Sequence, residues 1–187
     1  MTREMVLRPV GTVRNKQKEM IWGPGGAGGG SWAEKAARSI QAQEAISEIE
    51  IASDLANILD GIEEFSHLWI IYWADRSPTP PHALQVHPMG REDWPLVGLF
   101  ATRSPVRPNN LCLALVRLIE RRGNALTVRG LDAVDGTPVV DIKPYTPGDA
   151  PAEEVKMPAW MHQMYHEFAE AAGEGRQPGG GEGTGHR

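Results

Sequence analysis

The pattern of apolar and polar residues along the chain predicts a protein built mainly from short β-strands. Loose alternation predicts a first strand over Met5–Asn15, and clean alternation predicts a second strand over Ala45–Ile51. The continuous apolar and aromatic run Phe65–Trp73 has the length of a strand and is typical of one that is covered on both faces. We therefore expect this run to form a central strand.

Further strands follow in the second half of the chain. Leu96–Thr102 is predicted as one strand, Leu111–Arg121 and Ala125–Leu131 as a hairpin, and Val139–Ile142 as the last strand. The hairpin turn, Arg122–Asn124, contains residues that tolerate a positive φ. About seven short strands separated by turn signals predict a mainly β (α+β) fold, a small β-barrel with a few short helices.

Two helices are predicted between and after these strands. Ser53 or Asp54 can cap a short helix that runs to Leu59, and Ala159–Ala172 carries an apolar stripe at helical spacing. The predicted strands and helices do not alternate in the way that a Rossmann domain requires. The motifs of dinucleotide and P-loop sites are also missing from the sequence.

The segment 22–32 contains six glycines between two tryptophans and cannot form regular structure by itself. It is either a flexible loop or a lid that closes over a ligand. We expect a barrel domain over residues 1–147, with this glycine-rich loop inserted. A C-terminal helix and a disordered tail would follow over residues 148–187.

The composition restricts the possible classes of function but does not identify one of them. The net charge of −5 arises mostly from the segment 147–187, which has seven acidic and three basic residues, so the body is nearly neutral. The single Cys112 excludes an internal disulfide and favours a reducing compartment. With no apolar run long enough to span a membrane and no signal peptide, we predict a cytoplasmic protein.

Two dense polar clusters carry the candidate chemistry, and the first is Gly98–Asn110. Arg103 and Arg107 lie in a proline-containing segment that is extended or turning, so both guanidinium groups can point into one cleft. Arginine binds carboxylates and phosphates through two parallel hydrogen bonds. The alternative is a structural role in ion pairs. Asn109 and Asn110 can either satisfy turn backbone or contact a polar ligand.

The second cluster is Leu131–Tyr145, where three aspartates surround Gly136. The pair Asp135-Gly136 is a turn signal, and a purely structural turn is one interpretation. The other is that the turn backbone and an aspartate hold a ribose or an amine. We predict no metal site, because Asp132, Asp135 and Asp141 do not have the spacing of a calcium loop.

Three motifs stand out in the sequence, FSHLW from Phe65, FATRSPVRPN from Phe100 and DAVDGTPVVDIKPY from Asp132, together with LRPVGTVR near the start. With these motifs the chain resembles the TsaA-like, or TrmO-type, methyltransferase family. The resemblance covers about residues 6–147.

The resemblance implies a β-barrel that binds S-adenosylmethionine in a homodimer and methylates N6 of threonylcarbamoyladenosine at position 37 of tRNA. The cofactor-binding residues that it implies are Asp75, Arg76, Arg103, Leu113, Asp132, Ala133, Val134, Asp135, Gly136 and Thr137. Arg107 and Asn109 are then candidates for holding the substrate. Where family members often have Pro-Arg-Gln after the first strand, this chain has Asn15-Lys16-Gln17.

A base is needed to take a proton from the amide-like nitrogen, and Asp135 and Tyr145 are the nearest candidates in the clusters. Two other functions stay open at this point. The same fold and cofactor could serve a small-molecule acceptor, or the protein could bind S-adenosylmethionine as a sensor or partner-binding module without turnover.

Overall fold

The computed structural model describes residues 5–21, 30–78, 81 and 83–171. The strands are β1 (Gly11–Arg14), β2 (Ile46–Ile51), β3 (His67–Trp73), β4 (Gln85–Val86), β5 (Val97–Gly98), β6 (Leu111–Arg122), β7 (Ala125–Arg129) and β8 (Pro138–Pro144). The α-helices are α1 (Trp32–Glu44) and α2 (Ala159–Ala171). Short 3-10 helices cover Ser53–Leu59, Ile62–Glu64, Pro88–Gly90, Leu99–Ala101 and Pro147–Asp149.

Six strands close into a barrel in the order β1-β2-β7-β6-β3-β8, and every neighbouring pair is antiparallel. The predicted mainly β fold with a small barrel is therefore confirmed. The barrel has one strand fewer than the seven expected, because β4 and β5 pair only with each other in the described part of the chain. The barrel interior is apolar and includes fully buried Val13, Ile49, Leu68 and Val139.

Strand β3 lies between β6 and β8, which confirms its central place in the sheet. Within the described chain only one of its two faces is fully covered, so the expectation that both are covered is met only in part. Its side chains alternate, with Leu68 and Ile70 buried inside the barrel and Trp69, Ile71 and Trp73 directed outward. A strand in a single-layer barrel has only one interior face, so its outward aromatic residues must be explained by something outside the barrel.

Two other predicted strands differ from the structure. Strand β1 begins only at Gly11, six residues later than predicted from Met5. Within the predicted strand Leu96–Thr102, the strand observed is Val97–Gly98, and the chain then turns into the 3-10 helix Leu99–Ala101. The β6–β7 hairpin is confirmed, with Gly123 at a φ of 61° in its turn.

Helix α1 was not predicted. Ser31 and Glu34 form a capping box at its start, with the Ser31 hydroxyl accepting from the Glu34 amide at 3.3 Å. Its buried residues are only Ala36 and Ala42, so its sequence has no large apolar stripe. The expected short helix after β2 is a 3-10 helix, Ser53–Leu59, whose N-terminus has no side-chain cap.

Helix α2 is confirmed over its described residues and packs on α1. The Trp32 ring lies 5.5 Å from Phe168 and 5.5 Å from Trp94, and Trp94 lies 5.8 Å from Trp160. Arg91 stacks on two of these rings and pairs with Glu167 at 2.6 Å. These contacts form a small aromatic core beside the barrel.

The glycine-rich segment 22–29 and the tail 172–187 lie outside the described residues, so the predicted loop or lid stays a prediction. The division of the chain at residue 147 also stays a prediction. Among the described helices, none combines the length and the apolar character that crossing a membrane requires.

Candidate functional site

One end of the barrel gathers the two polar clusters. Because adjacent strands are antiparallel, the ends of β1, β3 and β7 meet the starts of β2, β6 and β8 at this end. We name it the polar mouth, and it comprises residues 14–18, 45–47, 72–77, 103–112 and 130–138. All four buried polar residues of the described chain lie here, namely Ser47, Ser77, Asn110 and Thr137.

Asn110 is the most constrained of these four residues. It has a φ of 50° and is 1% exposed. Its side-chain amide donates to the Ser77 carbonyl at 2.9 Å, and its side-chain oxygen accepts from the Arg107 amide at 3.0 Å. Asn110 therefore fastens the arginine-bearing loop to the segment after β3, a structural role for one of the two asparagines that the sequence left undecided.

Tyr72 connects the strand β3 to the aspartate turn. Its hydroxyl donates to the Asp132 carbonyl at 2.7 Å. Burial raises the pKa of the Tyr72 phenol well above its ordinary value, and burial also raises the pKa of the neighbouring Cys112 thiol. Both groups interact electrostatically with Asp132 and Arg103, so the two polar clusters of the sequence meet around this tyrosine.

Asp132 is open to solvent at the rim of the mouth, yet protein atoms surround its carboxyl group. This partial burial raises the pKa of the Asp132 carboxyl, while a hydrogen bond from the Gln17 side chain acts in the opposite direction. Asp132 thus presents a carboxylate at the mouth whose only described side-chain partner is Gln17.

The rest of the turn is bonded to the protein itself. The amides of Asp135, Gly136 and Thr137 donate to the carbonyls of Gln17, Val13 and Val134 at 2.7, 2.8 and 3.2 Å. Ala133 and Val134 are buried. The interpretation in which the turn backbone holds a ligand therefore does not apply to these three amides, and the Asp132 side chain is the better candidate.

Gly136 is required at its position by the backbone. Its φ is 86°, and a Cβ there would lie 3.3 Å from the Arg76 guanidinium. That guanidinium donates to the Asp135 carbonyl at 2.8 Å and to the Lys18 carbonyl at 3.4 Å. Arg76 thus holds the turn and the segment after β1 together. Its neighbour Asp75 is exposed.

The segment after β1 forms a wall of the mouth. The Asn15 side chain donates to Ser47 Oγ at 3.0 Å and to the Ala133 carbonyl at 2.8 Å, and its backbone amide donates to Asp135 Oδ1 at 3.0 Å. Lys18 pairs with Asp135 Oδ2 at 2.6 Å. The Lys18 ammonium, followed by the Asn15 amide, lowers the pKa of Asp135, which makes this carboxylate a weak base.

Arg103 and Arg107 are differently placed. The exposed Arg103 donates from Nη2 to the Leu113 carbonyl at 2.9 Å, a single described bond for a group with five N–H donors. Arg107 donates to the carbonyls of Thr102 and Ser104 at 3.0 and 3.4 Å and lies over the Phe100 ring. Arg107 shapes its own loop, whereas Arg103 and the exposed Asn109 face solvent.

Tyr145 does not lie at the polar mouth. Its amide donates to the His67 carbonyl at 2.9 Å, and its ring packs on Trp69 at 5.8 Å. His67 begins β3 whereas Tyr72 lies near its end, and five residues of a strand span about 17 Å. The roles of Asp135 and Tyr145 as bases stay predictions, and the two residues are not neighbours within one chain.

Several residues of the mouth were not singled out from the sequence. Tyr72 could have been found, because alternation along β3 puts every second residue inside the barrel. Gln17 and Asn15 were noticed only as a departure from a family motif. Their contacts with Asp132 and Ala133 depend on the pairing of β1 with β8, and no local pattern indicates them.

The fold is shared with solved structures of TrmO. TrmO from Pseudomonas aeruginosa matches 93% of this chain and 76% of its own chain with a TM-score of 0.62, and the 21% identity limits this similarity to the fold. The barrel therefore belongs to a class of β-barrel folds that is distinct from the Rossmann fold. The model of the tRNA-methyltransferase O N-terminal domain matches residues 32–149, and the chain belongs to this family.

Relatives at higher identity agree with this assignment. A probable S-adenosyl-L-methionine-binding protein of Pyrococcus abyssi is 40% identical over 128 residues, which is 68% of this chain and 67% of that protein. A tRNA (adenine(37)-N6)-methyltransferase of Mus musculus is 44% identical over 87 residues, 46% of this chain and 20% of that protein. The predicted family, with its S-adenosylmethionine-dependent methyltransferase class, is confirmed.

Proposed function

We propose that this protein transfers a methyl group from S-adenosylmethionine to N6 of threonylcarbamoyladenosine at position 37 of tRNA. The observation that carries the proposal is the meeting of both motif clusters around Tyr72 at the polar mouth, in a chain of the tRNA-methyltransferase O family. The mouse relative, named for methylation of adenine 37, supports the choice of tRNA as substrate.

The side chains of the mouth fit the polar groups of S-adenosylmethionine. Arg103 has N–H donors to spare for a carboxylate, and Asp132 offers a carboxylate for ribose hydroxyls or an amino group. Asp75 and the rest of the Asp132–Thr137 turn would line the same pocket, and Leu113 would contribute through its backbone carbonyl, which accepts from Arg103. Arg76, which is bonded to two backbone carbonyls, would act by holding the pocket walls in place.

Bound S-adenosylmethionine supplies an electrophilic methyl group on a sulfonium. The protein must then align the acceptor nitrogen, exclude water and remove a proton. Asp132, whose pKa is raised, is better suited to accept that proton than Asp135, whose carboxylate is held by Lys18 and Asn15. Arg107 and Asn109, at the edge of the mouth, are the proposed contacts with the substrate.

Charge at the mouth favours a polyanionic substrate. The basic residues there outnumber the acidic ones Asp75, Asp132 and Asp135, although the chain as a whole has a net charge of −5; the basic residues are Arg14, Lys16, Lys18, Arg76, Arg103 and Arg107. Cations gathered at one end of the barrel would attract the phosphate backbone of an anticodon loop. A cytoplasmic location, where tRNA is available, belongs to the same proposal.

A homodimer is part of the proposal. The outward side chains of β3 and β6 form a surface that we name the outer apolar face, and its members are Trp69, Ile71, Trp73, Leu111, Leu113, Leu115 and Ile119. Trp73, Leu113, Leu115 and Ile119 are each 41% to 44% exposed. An exposed apolar surface of this kind is typical of an interface between subunits.

The test is incubation of the purified protein with labelled S-adenosylmethionine and total tRNA from cells lacking this activity. Label is expected in tRNA that carries threonylcarbamoyladenosine and not in tRNA from cells that cannot make this nucleoside. A small-molecule extract from the same cells serves as a second acceptor pool. Label only in the extract would contradict the tRNA proposal, and cofactor binding without any transfer would support a sensor.

A further inference from the structure

The outer surface of β3, β6 and β8 has an ordered arrangement of side chains. We name each level of this surface by the β3 residue that stands at that height along the strand. At the His67 level, Arg117 of β6 lies on one side of β3 and Tyr145 lies on the other. At the Trp73 level, which is nearest the polar mouth, β6 contributes Leu111. The two ends of this surface therefore differ, with an aromatic cluster around Tyr145 at one end and the polar mouth at the other.

Between these ends lie two charged residues of β8. Lys143 stands beside Trp69, and Asp141 stands beside Ile71. Both point outward, with side chains 62% and 45% exposed, and they pair with each other at 2.8 Å. Across β3 from them, Leu115 and Leu113 occupy the same two levels. The middle of the surface thus has an apolar side on β6 and a charged side on β8.

A second copy can be laid face to face on this surface about a two-fold axis in two simple ways. An axis along the strands keeps every residue at its level and puts β8 over β6 of the other copy. Asp141 and Lys143 would then be buried against Leu113 and Leu115, which is unfavourable for charged groups.

An axis across the strands keeps β8 over β8 and reverses the levels. If this axis passes between the Trp69 and Ile71 levels, Asp141 of each copy faces Lys143 of the other, and the leucines of β6 face one another. Opposite charges are paired and apolar side chains are buried together, so this packing is favoured. The same reversal sets the His67 level of one copy against the Trp73 level of the other.

We propose that two copies of this chain pack in this reversed manner, so that Tyr145 of each copy completes the polar mouth of the other. Tyr145 lies about 17 Å along β3 from its own Tyr72 and cannot serve the mouth of its own chain. In the reversed dimer its hydroxyl comes beside Trp73 at the rim of the partner's mouth. This inference rests on the proposed function for the role of that hydroxyl, but not for the packing itself.

Cross-linking tests the packing without any activity measurement. In a Cys112→Ser background, the pair Trp73→Cys and Tyr145→Cys is expected to give a covalent dimer with a short bismaleimide. Each single cysteine variant is the control. It is expected to stay monomeric on a denaturing gel, because in the reversed dimer each of these residues lies far from the same residue of the other copy. A covalent dimer with this pair supports the reversed packing.

The pair Arg117→Cys and Tyr145→Cys reports the other axis, because those residues share one level. Within one chain this pair can link only into a monomer. Covalent dimers with this pair and not with the first would overturn the proposal, and so would the lack of covalent dimer with either pair. If another segment of the chain covers the outer apolar face, neither cysteine pair is expected to give a covalent dimer.

Subunit complementation tests the shared site. Arg103→Ala and Tyr145→Phe homodimers are both expected to lose most methyl transfer to tRNA. Mixed dimers of the two variants contain one intact site and are expected to recover up to about half of the wild-type rate. Arg103→Ala mixed with Asp132→Asn is the control without recovery, because both changes affect the same mouth. Full activity of Tyr145→Phe, or no recovery in the mixed dimer, would overturn the shared site.

Discussion

The two ends of the barrel are built differently. At the polar mouth, four buried polar side chains and a network of side-chain to backbone bonds hold the loops. At the opposite end, which we name the far mouth, the 3-10 helix Ser53–Leu59 closes the interior with Leu59, which is 2% exposed. Arg121 anchors that helix from outside through the Leu59 carbonyl and Asp60.

This difference supports the proposal that the functional site lies at the polar mouth. An apolar plug is the simplest way to close a barrel, since it buries side chains without leaving polar groups to satisfy. Buried polar groups need partners, and a fold that concentrates them at one end keeps that end rigid and open for a polar ligand.

The largest effect is expected for Arg103→Ala. Loss of a charged hydrogen bond to the cofactor carboxylate should weaken S-adenosylmethionine binding by about 1.5–3 kcal/mol, measured by titration calorimetry. The matched control is Arg122→Ala at the far mouth, where the arginine pairs with Glu120 and its side chain is 79% exposed. Equal affinities of the two variants would remove Arg103 from the site.

The contribution of each mouth to the free energy of unfolding can be compared with the variants Asn110→Ala and Asn124→Ala. Asn110→Ala leaves the Ser77 carbonyl and the Arg107 amide without their buried partner, so unfolding should be easier by about 1–3 kcal/mol. Asn124 makes one described side-chain bond, to the Ile51 carbonyl, and its loss should cost about 0.5–1.5 kcal/mol. Urea denaturation measures both values. A smaller loss for Asn110→Ala would contradict the rigid polar mouth.

Tyr72→Phe removes only the hydroxyl that donates to the Asp132 carbonyl. The free energy of unfolding should fall by about 0.5–1.5 kcal/mol, the usual net contribution of one hydrogen bond. Cofactor affinity should fall as well, because Asp132 loses its fixed position. Tyr165→Phe on the half-exposed face of α2 is the control, and a loss as large in that variant would mean that the bond at the mouth is unimportant.

Asp132 and Asp135 should respond to pH in opposite directions. The pKa of Asp132 is raised, so the stability that its protonated form provides is present below the ordinary pKa and is lost as pH rises through the folded value. The pKa of Asp135 is lowered, so its contribution is present above the ordinary pKa and is lost as pH falls through the folded value.

Thermal unfolding of Asp132→Asn and Asp135→Asn between neutral and acidic pH measures this contrast. With rising pH, wild type should lose stability relative to Asp132→Asn and gain it relative to Asp135→Asn. Parallel curves for the two variants would show that their environments do not differ as described.

Some elements could be predicted from the sequence because local pattern is sufficient for them. The β6–β7 hairpin follows from two apolar runs around Gly123, and α2 follows from its apolar stripe. Helix α1 was missed because its buried face consists of alanines, although its capping box is visible in the sequence. The segment Leu96–Thr102 has the composition of a strand, but after Gly98 the chain forms a 3-10 helix.

The sequence by itself determined the chemistry of this protein. The arginine and aspartate clusters, with their glycine and proline residues, specify the kinds of groups that the site offers and the family to which the chain belongs. Tertiary structure alone decided which of them meet. Closure of the barrel joins Tyr72 to Asp132 across 60 residues and places Tyr145 at the other end of β3. The physical reason is that strand-forming tendency is local, whereas the register between distant strands depends on packing of the whole interior.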